Sequence, residues 1–176
     1  MYTDGIKVDL TEEEIKEAID WGAKNKDSFW KVIKPYLFGK WGISEEFGVI
    51  LTKSFYLASL GARSARNYKS PEESDIGVVL IDDTLHVMIN TYGNEPEFYK
   101  GYQIVLKQGE RVIHPVKIES RKQAGPTVGF LNTPYYRGDV TGLFRYSEID
   151  FRAKTTIILV KDEGESRFEV DFSEYK

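Results

Sequence analysis

The stretch TTIILVKDEGESRFEVDF, residues 155–172, decides the fold class, because two β-rich runs flank an acidic turn that contains glycine. In residues 168–172, apolar and acidic side chains alternate, which is typical of a strand with one buried and one solvated face. Further upstream, the period of the apolar residues changes near Asp75. Before it they recur mostly at helical spacing, and after it they occur in short β-rich runs. The sequence therefore predicts an α+β fold, with helices first and an antiparallel sheet second.

Four segments of the first part indicate helices. The first helix begins at a capping box, Thr11–Glu14, a short second helix covers Phe29–Ile33, and the third is Ser54–Tyr68. The residues Ser70-Pro71-Glu72-Glu73 resemble the first turn of one more short helix. The third helix has a face of small residues: Ala58, Gly61, Ala62 and Ala65. Such a face allows close approach to a sheet or to another helix. Between the second and third helices, Phe47–Thr52 has the composition of a strand.

Three β-hairpins are predicted in the second part, each with β-branched arms around turn residues. Their arms are Ile76–Ile81 with Leu85–Thr91, Tyr102–Lys107 with Val112–Glu119, and Thr155–Lys161 with Arg167–Phe172. Asn132–Gly142 contains Asn, Thr, Pro, Gly and Asp and is predicted to be a long exposed loop. We expect one domain over residues 1–176, mainly helical over 1–75 and mainly β over 76–176. Its helices would pack on an antiparallel sheet or an immunoglobulin-like β-sandwich.

Composition excludes several classes of function. The 176 residues are 41% hydrophobic, and the net charge of −4 is spread evenly, with 11 Lys+Arg against 13 Asp+Glu up to residue 75 and 13 against 15 after it. Nucleic acid is therefore not expected as a partner. The absence of cysteine excludes disulfides, thiolate metal sites and a cysteine nucleophile. No apolar run is long enough to predict a transmembrane segment.

The two histidines are the first candidates for catalysis. His86 and His114 both lie in predicted strands, and neither is at ligand spacing from another donor. We interpret them as structural, and we predict no catalytic residue, metal site or cofactor. The alternative is a small hydrolase that uses either histidine with a nearby carboxylate, at the junction between helices and sheet. Asp82 and Asp83 are interpreted as turn residues rather than as Ca²⁺ ligands.

Aromatic residues in predicted loops are the candidates for ligand binding. Tyr135 and Tyr136 lie in the longest loop, followed by Arg137 in an Arg-Gly-Asp triplet, and Trp41 lies in a loop between glycines. On a β scaffold, such residues stack on sugar rings or anchor a partner protein. The alternative is that they cover the junction between helices and sheet, the role that we assign to Trp21 and Trp30.

A basic patch is predicted on the third helix. Lys53, Arg63, Arg66 and Lys69 contribute to it, together with Tyr68. We interpret it as a solvated helix face, with contact to anionic lipid headgroups or an acidic partner as the alternative.

The segment FGVILTKSF, residues 47–55, followed by Ala58, Ala62, Arg63 and Ala65, resembles a group of bacterial exported domains and lipoproteins of unknown function. In that group a short strand ends in Thr and leads into an Ala-rich helix. The closing residues 168–172 are similar to the last strand of their β-sandwich half. The resemblance implies a bacterial cell-envelope protein without known catalytic residues.

Together these observations predict a non-catalytic binding or structural module of the cell envelope, with a protein or glycan as its partner. The N-terminus MYTDGIKVDL is not a signal peptide. A leader trimmed from upstream of Met1 would place the protein in the periplasm or outer envelope. Without such a leader, a cytoplasmic location is expected.

Overall fold

The computed structural model describes residues 5–42, 45–120, 124–127 and 136–175. Within these residues there are four α-helices: α1 (Glu12–Lys24), α2 (Phe29–Ile33), α3 (Lys53–Arg66) and α4 (Glu73–Ile81). The strands are β1 (Leu37–Gly39), β2 (Phe47–Leu51), β3 (Thr84–Gly93), β4 (Gln103–Gln108), β5 (Arg111–Ile113), β6 (Lys117–Ser120), β7 (Gly125–Pro126), β8 (Tyr136–Arg145), β9 (Thr155–Val160) and β10 (Glu165–Val170). Short 3-10 helices cover Lys34–Tyr36, Tyr146–Glu148 and Phe172–Glu174.

The strands form two antiparallel sheets. Sheet 1 has the order β1-β2-β3-β8-β6, with β7 also paired to β8, and sheet 2 has the order β10-β9-β4-β5. The C-terminal hairpin is confirmed: β9 pairs with β10 in a register that sets Thr155 opposite Val170 and Val160 opposite Glu165. The predicted α+β class with antiparallel sheets is therefore correct, although β1 and β2 of sheet 1 precede α3 and α4 in the chain.

Sheet 1 contributes to two hydrophobic cores, one on each face. Alternate residues of β3, Leu85, Val87 and Ile89, join Ile104 and Leu106 of sheet 2 in the main core. The opposite face of sheet 1 packs on the helices through a second cluster: Ile33, Tyr36, Val49, Leu51 and Phe55. All five residues of β2 are buried as a consequence. This two-sided burial explains why β2 has a continuous apolar sequence.

Two glycines allow α1 and α3 to touch backbone to backbone. A Cβ atom added to Gly61 would lie 2.2 Å from the carbonyl oxygen of Ile19, and one added to Gly22 would lie 1.8 Å from that of Ala58. Both distances are far below van der Waals contact. The small face predicted for the third helix therefore approaches another helix, α1, and the N-terminal helix is held to the sheet through α3.

The first predicted hairpin is wrong, because residues 76–81 are the last six residues of helix α4 rather than a strand. A short apolar run without alternation does not distinguish a strand from a helix. The preceding residues do favour a helix, since Glu73 and Asp75 lie in its first turn, where the helix dipole favours acids. At the other end, Lys53 Nζ donates a 2.6 Å hydrogen bond to the carbonyl of Leu80.

The second predicted hairpin is correct only near its turn. β4 pairs with β5 in sheet 2, but the chain then leaves that sheet and β6 pairs with β8 in sheet 1. Pro115 lies between β5 and β6, and it has no N–H group to continue a ladder. One predicted arm is therefore divided between the two sheets.

A half-buried carboxylate links the two sheets. Glu46, which precedes β2, accepts hydrogen bonds from Thr91 of sheet 1 and from Ser166 of sheet 2, and it forms a 2.9 Å ion pair with Lys161. Burial by itself would raise the pKa of Glu46, but the hydrogen bonds from Ser166, Thr91 and Lys161 outweigh it and the pKa is lowered. The charged form of Glu46 is thus the one that stabilises the contact between the sheets.

We predict that Gly61→Ala destabilises the protein by about 1–3 kcal/mol, because the new methyl group overlaps the α1 backbone. Gly77→Ala in α4 is the matched control. Nothing lies within 4 Å of its Cβ position, so the gain in helix propensity should stabilise the protein by about 0.5–1 kcal/mol. Urea unfolding of both variants measures the difference. Equal effects of the two substitutions would show that α1 does not pack on α3 in this way.

Glu46→Gln should cost about 1–3 kcal/mol at neutral pH, since Lys161 loses its charged partner. Because the folded pKa of Glu46 lies below its unfolded value, its contribution is complete above that unfolded value and disappears as pH falls through the folded pKa. The difference between wild type and variant, measured by urea unfolding from pH 7 to pH 3, should therefore shrink. Glu169→Gln, at an exposed residue, is the control, and a difference independent of pH would contradict the assignment.

Candidate functional site

Trp41 lies between β1 and β2 and is 57% exposed. Its ring is nevertheless held in place by two others: its centroid is 4.4 Å from that of Phe47 in β2 and 4.6 Å from that of Trp30 in α2. Phe47 is almost fully buried beneath these contacts, whereas Trp30 is 40% exposed. Trp41 is therefore a supported aromatic surface and not a freely moving side chain.

Arg137, which lies in β8, contacts the ring of Phe47. Its guanidinium carbon lies 5.5 Å from the centroid of Phe47, within the range of a cation–π contact. Its Nε atom donates a 2.7 Å hydrogen bond to the side-chain oxygen of Asn90, which is buried in β3, and Nη2 donates to the same oxygen. The structure thus brings two of the predicted binding residues, Trp41 and Arg137, to one phenylalanine ring. We call Trp30, Trp41, Phe47 and Arg137 the aromatic patch.

The other predicted binding residues are tyrosines. Tyr135 lies outside the described residues. Tyr136 is the first residue of β8, where it pairs with Gly93 and Pro126, and its half-buried ring packs against the main core. Tyr136 therefore contributes to packing between the sheets and is not a member of the aromatic patch.

The predicted exposed loop Asn132–Gly142 is wrong from Tyr136 onward, because these residues belong to β8. The Arg-Gly-Asp triplet pairs with Asn90, Thr91 and Tyr92 of β3. Gly138 is required for packing rather than for a turn, since an added Cβ would lie 2.5 Å from the ring of the buried Tyr99. The triplet therefore lies in a central strand and not in the predicted exposed loop.

His86 lies near the other end of β3, in a closed hydrogen-bond network. Its Nδ1 is 2.7 Å from the hydroxyl of Tyr56, and its Nε2 is 3.1 Å from Asp82 and 3.0 Å from the hydroxyl of Thr84. Burial, together with the nearby carboxylates of Asp82 and Glu119, raises the pKa of Tyr56, so that its hydroxyl stays protonated.

A carboxylate only accepts hydrogen bonds, and this property assigns the protons of the network. Nε2 of His86 and the hydroxyl of Thr84 both donate to Asp82, at 3.1 Å and 2.6 Å. In the neutral imidazole Nδ1 is then the acceptor, and the hydroxyl of Tyr56 donates to it at 2.7 Å. Both ring nitrogens are used within the protein, so His86 has no free nitrogen to offer a substrate in this arrangement.

His114 is exposed after β5 and does not join His86. Over the described residues, no group of three or more His, Asp or Glu side chains is placed to hold a metal ion. In the same part of the chain, no helix has the length and apolar character needed to cross a membrane. No family model, curated protein or solved structure matches this chain.

Sequence analysis missed Phe47, Asn90 and Trp30 as members of a surface site. Phe47 and Asn90 are buried, and they act by positioning Trp41 and Arg137. Trp30 was assigned to the junction between helices and sheet, together with Trp21, yet both remain partly exposed. The sequence feature that could have indicated this site is the pair of tryptophans at positions 30 and 41. The second of them lies in a Gly-rich segment that precedes a predicted strand.

We predict that His86→Ala lowers the free energy of unfolding by about 1–3 kcal/mol, because it leaves Tyr56 and Asp82 without their shared partner. His114→Ala, at an exposed position, should change it by less than about 0.5 kcal/mol. Equilibrium urea unfolding at pH 7 compares the two. A His86→Ala protein as stable as wild type would contradict a structural role for this network.

Proposed function

We propose that this protein is a non-catalytic binding module whose ligand docks on the aromatic patch. The observation that carries the proposal is Trp41, which keeps 57% of its surface exposed while its ring is fixed between Trp30 and Phe47. Tryptophan and arginine are the residue types that most often dominate binding energy at protein interfaces. An exposed tryptophan with an oriented arginine beside it suits this role.

Preorganisation supports the same proposal. The Arg137 guanidinium is held by Asn90 and by the Phe47 ring, and Trp41 is held by two aromatic contacts. A ligand that binds such side chains does not have to supply the free energy for ordering them. Two members of the patch, Phe47 and Arg137, lie on strands of sheet 1, and Phe47 is almost fully buried.

A protein of the bacterial cell envelope is the partner that we favour, with a glycan of that compartment as the second possibility. The sequence resemblance supports the envelope, and hence a periplasmic or outer-envelope location. The patch combines flat aromatic surface with a hydrogen-bonding cation, which suits a protein surface and also the face of a sugar ring. The overall charge of −4 does not favour nucleic acid.

The alternative function is a small hydrolase at His86. One observation favours it: Asp82, His86 and Tyr56 form a continuous chain of hydrogen bonds between α3 and sheet 1. The saturation of both imidazole nitrogens argues against it, because a general base needs a nitrogen that reaches its substrate. We therefore place the binding module first.

Trp41→Ala should reduce capture of the envelope partner at least tenfold, because truncation of a central tryptophan typically costs about 2 kcal/mol or more of binding free energy. Trp21→Ala is the matched control, since Trp21 is 44% exposed on α1 and outside the patch. The measurement immobilises each protein and quantifies retention of purified peptidoglycan and of detergent-solubilised envelope proteins.

Equal losses for the two tryptophan variants would contradict the patch as the binding surface. Thermal unfolding of each variant confirms that capture is compared between folded proteins. Hydrolysis of a nitrophenyl ester that is lost in His86→Ala and kept in Trp41→Ala would favour the hydrolase instead.

A further inference from the structure

Helix α4 is an apolar helix that the fold does not bury. Its last six residues are Ile76-Gly77-Val78-Val79-Leu80-Ile81, and none of its nine residues is buried. Val78 and Ile81 are 67% and 82% exposed. A continuous apolar surface of this kind usually marks a place where something binds.

A groove runs along this helix, between α4, α3 and the start of α2. Its volume is about 670 Å³, within the range of about 300–1,000 Å³ that small-molecule sites occupy. Leu60, Val78, Val79 and Phe29 supply its apolar wall. At 1.5 Å per residue, the nine residues of α4 give the wall a length of about 14 Å.

The charges that line the groove lie at one end of it. Arg63 and Arg66 belong to the last turns of α3, and Asp75 belongs to the first turn of the antiparallel α4. Asp75 is 3.4 Å from Arg63, whereas Nε of Arg66 donates to the backbone carbonyl of Ala62. Among the described residues that line the groove, two guanidinium groups thus oppose one carboxylate. This end is positive, although the whole chain carries a charge of −4.

We propose that this groove is a second binding site, independent of the aromatic patch, for a single-chain anionic amphiphile. The anionic head, a carboxylate or phosphate, pairs with Arg66 and Arg63, and the alkyl chain lies along Leu60, Val78 and Val79. Cations confined to one end of an apolar groove match a molecule that has one charged head and an apolar tail. A bilayer surface fits less well, because a flat surface does not enter a concave groove.

The test uses dodecyl phosphate below its micelle concentration, titrated into the full chain by calorimetry. Micromolar binding is expected, at least tenfold tighter than that of dodecyl maltoside, which has the same chain and an uncharged head. Inorganic phosphate alone should show no measurable binding. Equal affinity for the two detergents would overturn the proposal, because it would show that the charged head does not contribute to binding. Full competition by inorganic phosphate would also overturn it, because it would show that the alkyl chain does not contribute.

Two variants locate the site within the molecule. Arg66→Gln should weaken dodecyl phosphate binding at least tenfold, and so should Val78→Asp. Arg111→Gln and Val112→Asp are the matched controls on β5, at exposed residues away from the groove, and they should bind as wild type does. The proposal fails if the control variants lose as much affinity as the groove variants while all four keep wild-type thermal unfolding.

Other occupants of the α4 surface give distinct results. Sedimentation that shows a wild-type dimer and a Val78→Asp monomer would assign the surface to a second copy of the chain. Binding to vesicles of phosphatidylglycerol without binding of monomeric dodecyl phosphate would assign it to a membrane. Either result would overturn the amphiphile site.

Discussion

On the helix-facing side of strand β3, the apolar packing lies near the middle of the strand, and polar side chains lie towards both ends. One face of β3 is covered by sheet 2 along the main core. On the other face, Met88 packs in the helix-covered cluster near the middle of the strand, His86 lies towards one end and Asn90 towards the other.

The polar side chains at the two ends of β3 find their hydrogen-bond partners in different ways. At His86, the carboxylate, hydroxyl and imidazole groups satisfy one another, so the end is closed by hydrogen bonds. At Asn90, the buried amide oxygen accepts a hydrogen bond from Arg137 and holds it in place. Beside it, the ring of Phe47 packs against Trp41, which stays exposed to solvent. A closed network stabilises a fold, while an ordered but exposed aromatic surface is available to a partner. This contrast is why we assign the binding role to the second end.

Local patterns predicted the parts of the fold that depend on neighbours in sequence. The alternation in residues 168–172 fixed the last hairpin, and the small residues of α3 indicated close packing, although they did not identify α1 as the partner. Residues 76–81 were misassigned because an apolar run without period is ambiguous. Trp41 and Arg137, two of the predicted binding residues, both contact Phe47, but Arg137 lies in strand β8 and not in the predicted loop. In this strand position Gly138 lies against the ring of Tyr99, a contact between residues distant in sequence that local patterns do not reveal.

The three tryptophans offer the most direct test of the binding surface, since each indole N–H gives its own signal in a ¹⁵N–¹H NMR spectrum. Trp30 and Trp41 belong to the aromatic patch, and Trp21 lies on α1 outside it. Titration with soluble envelope fragments that the immobilised protein retains should shift the Trp30 and Trp41 signals, together with the Arg137 Nε–H, and leave Trp21 in place. A bound protein whose Trp30 and Trp41 signals do not move would contradict the aromatic patch as the site of binding.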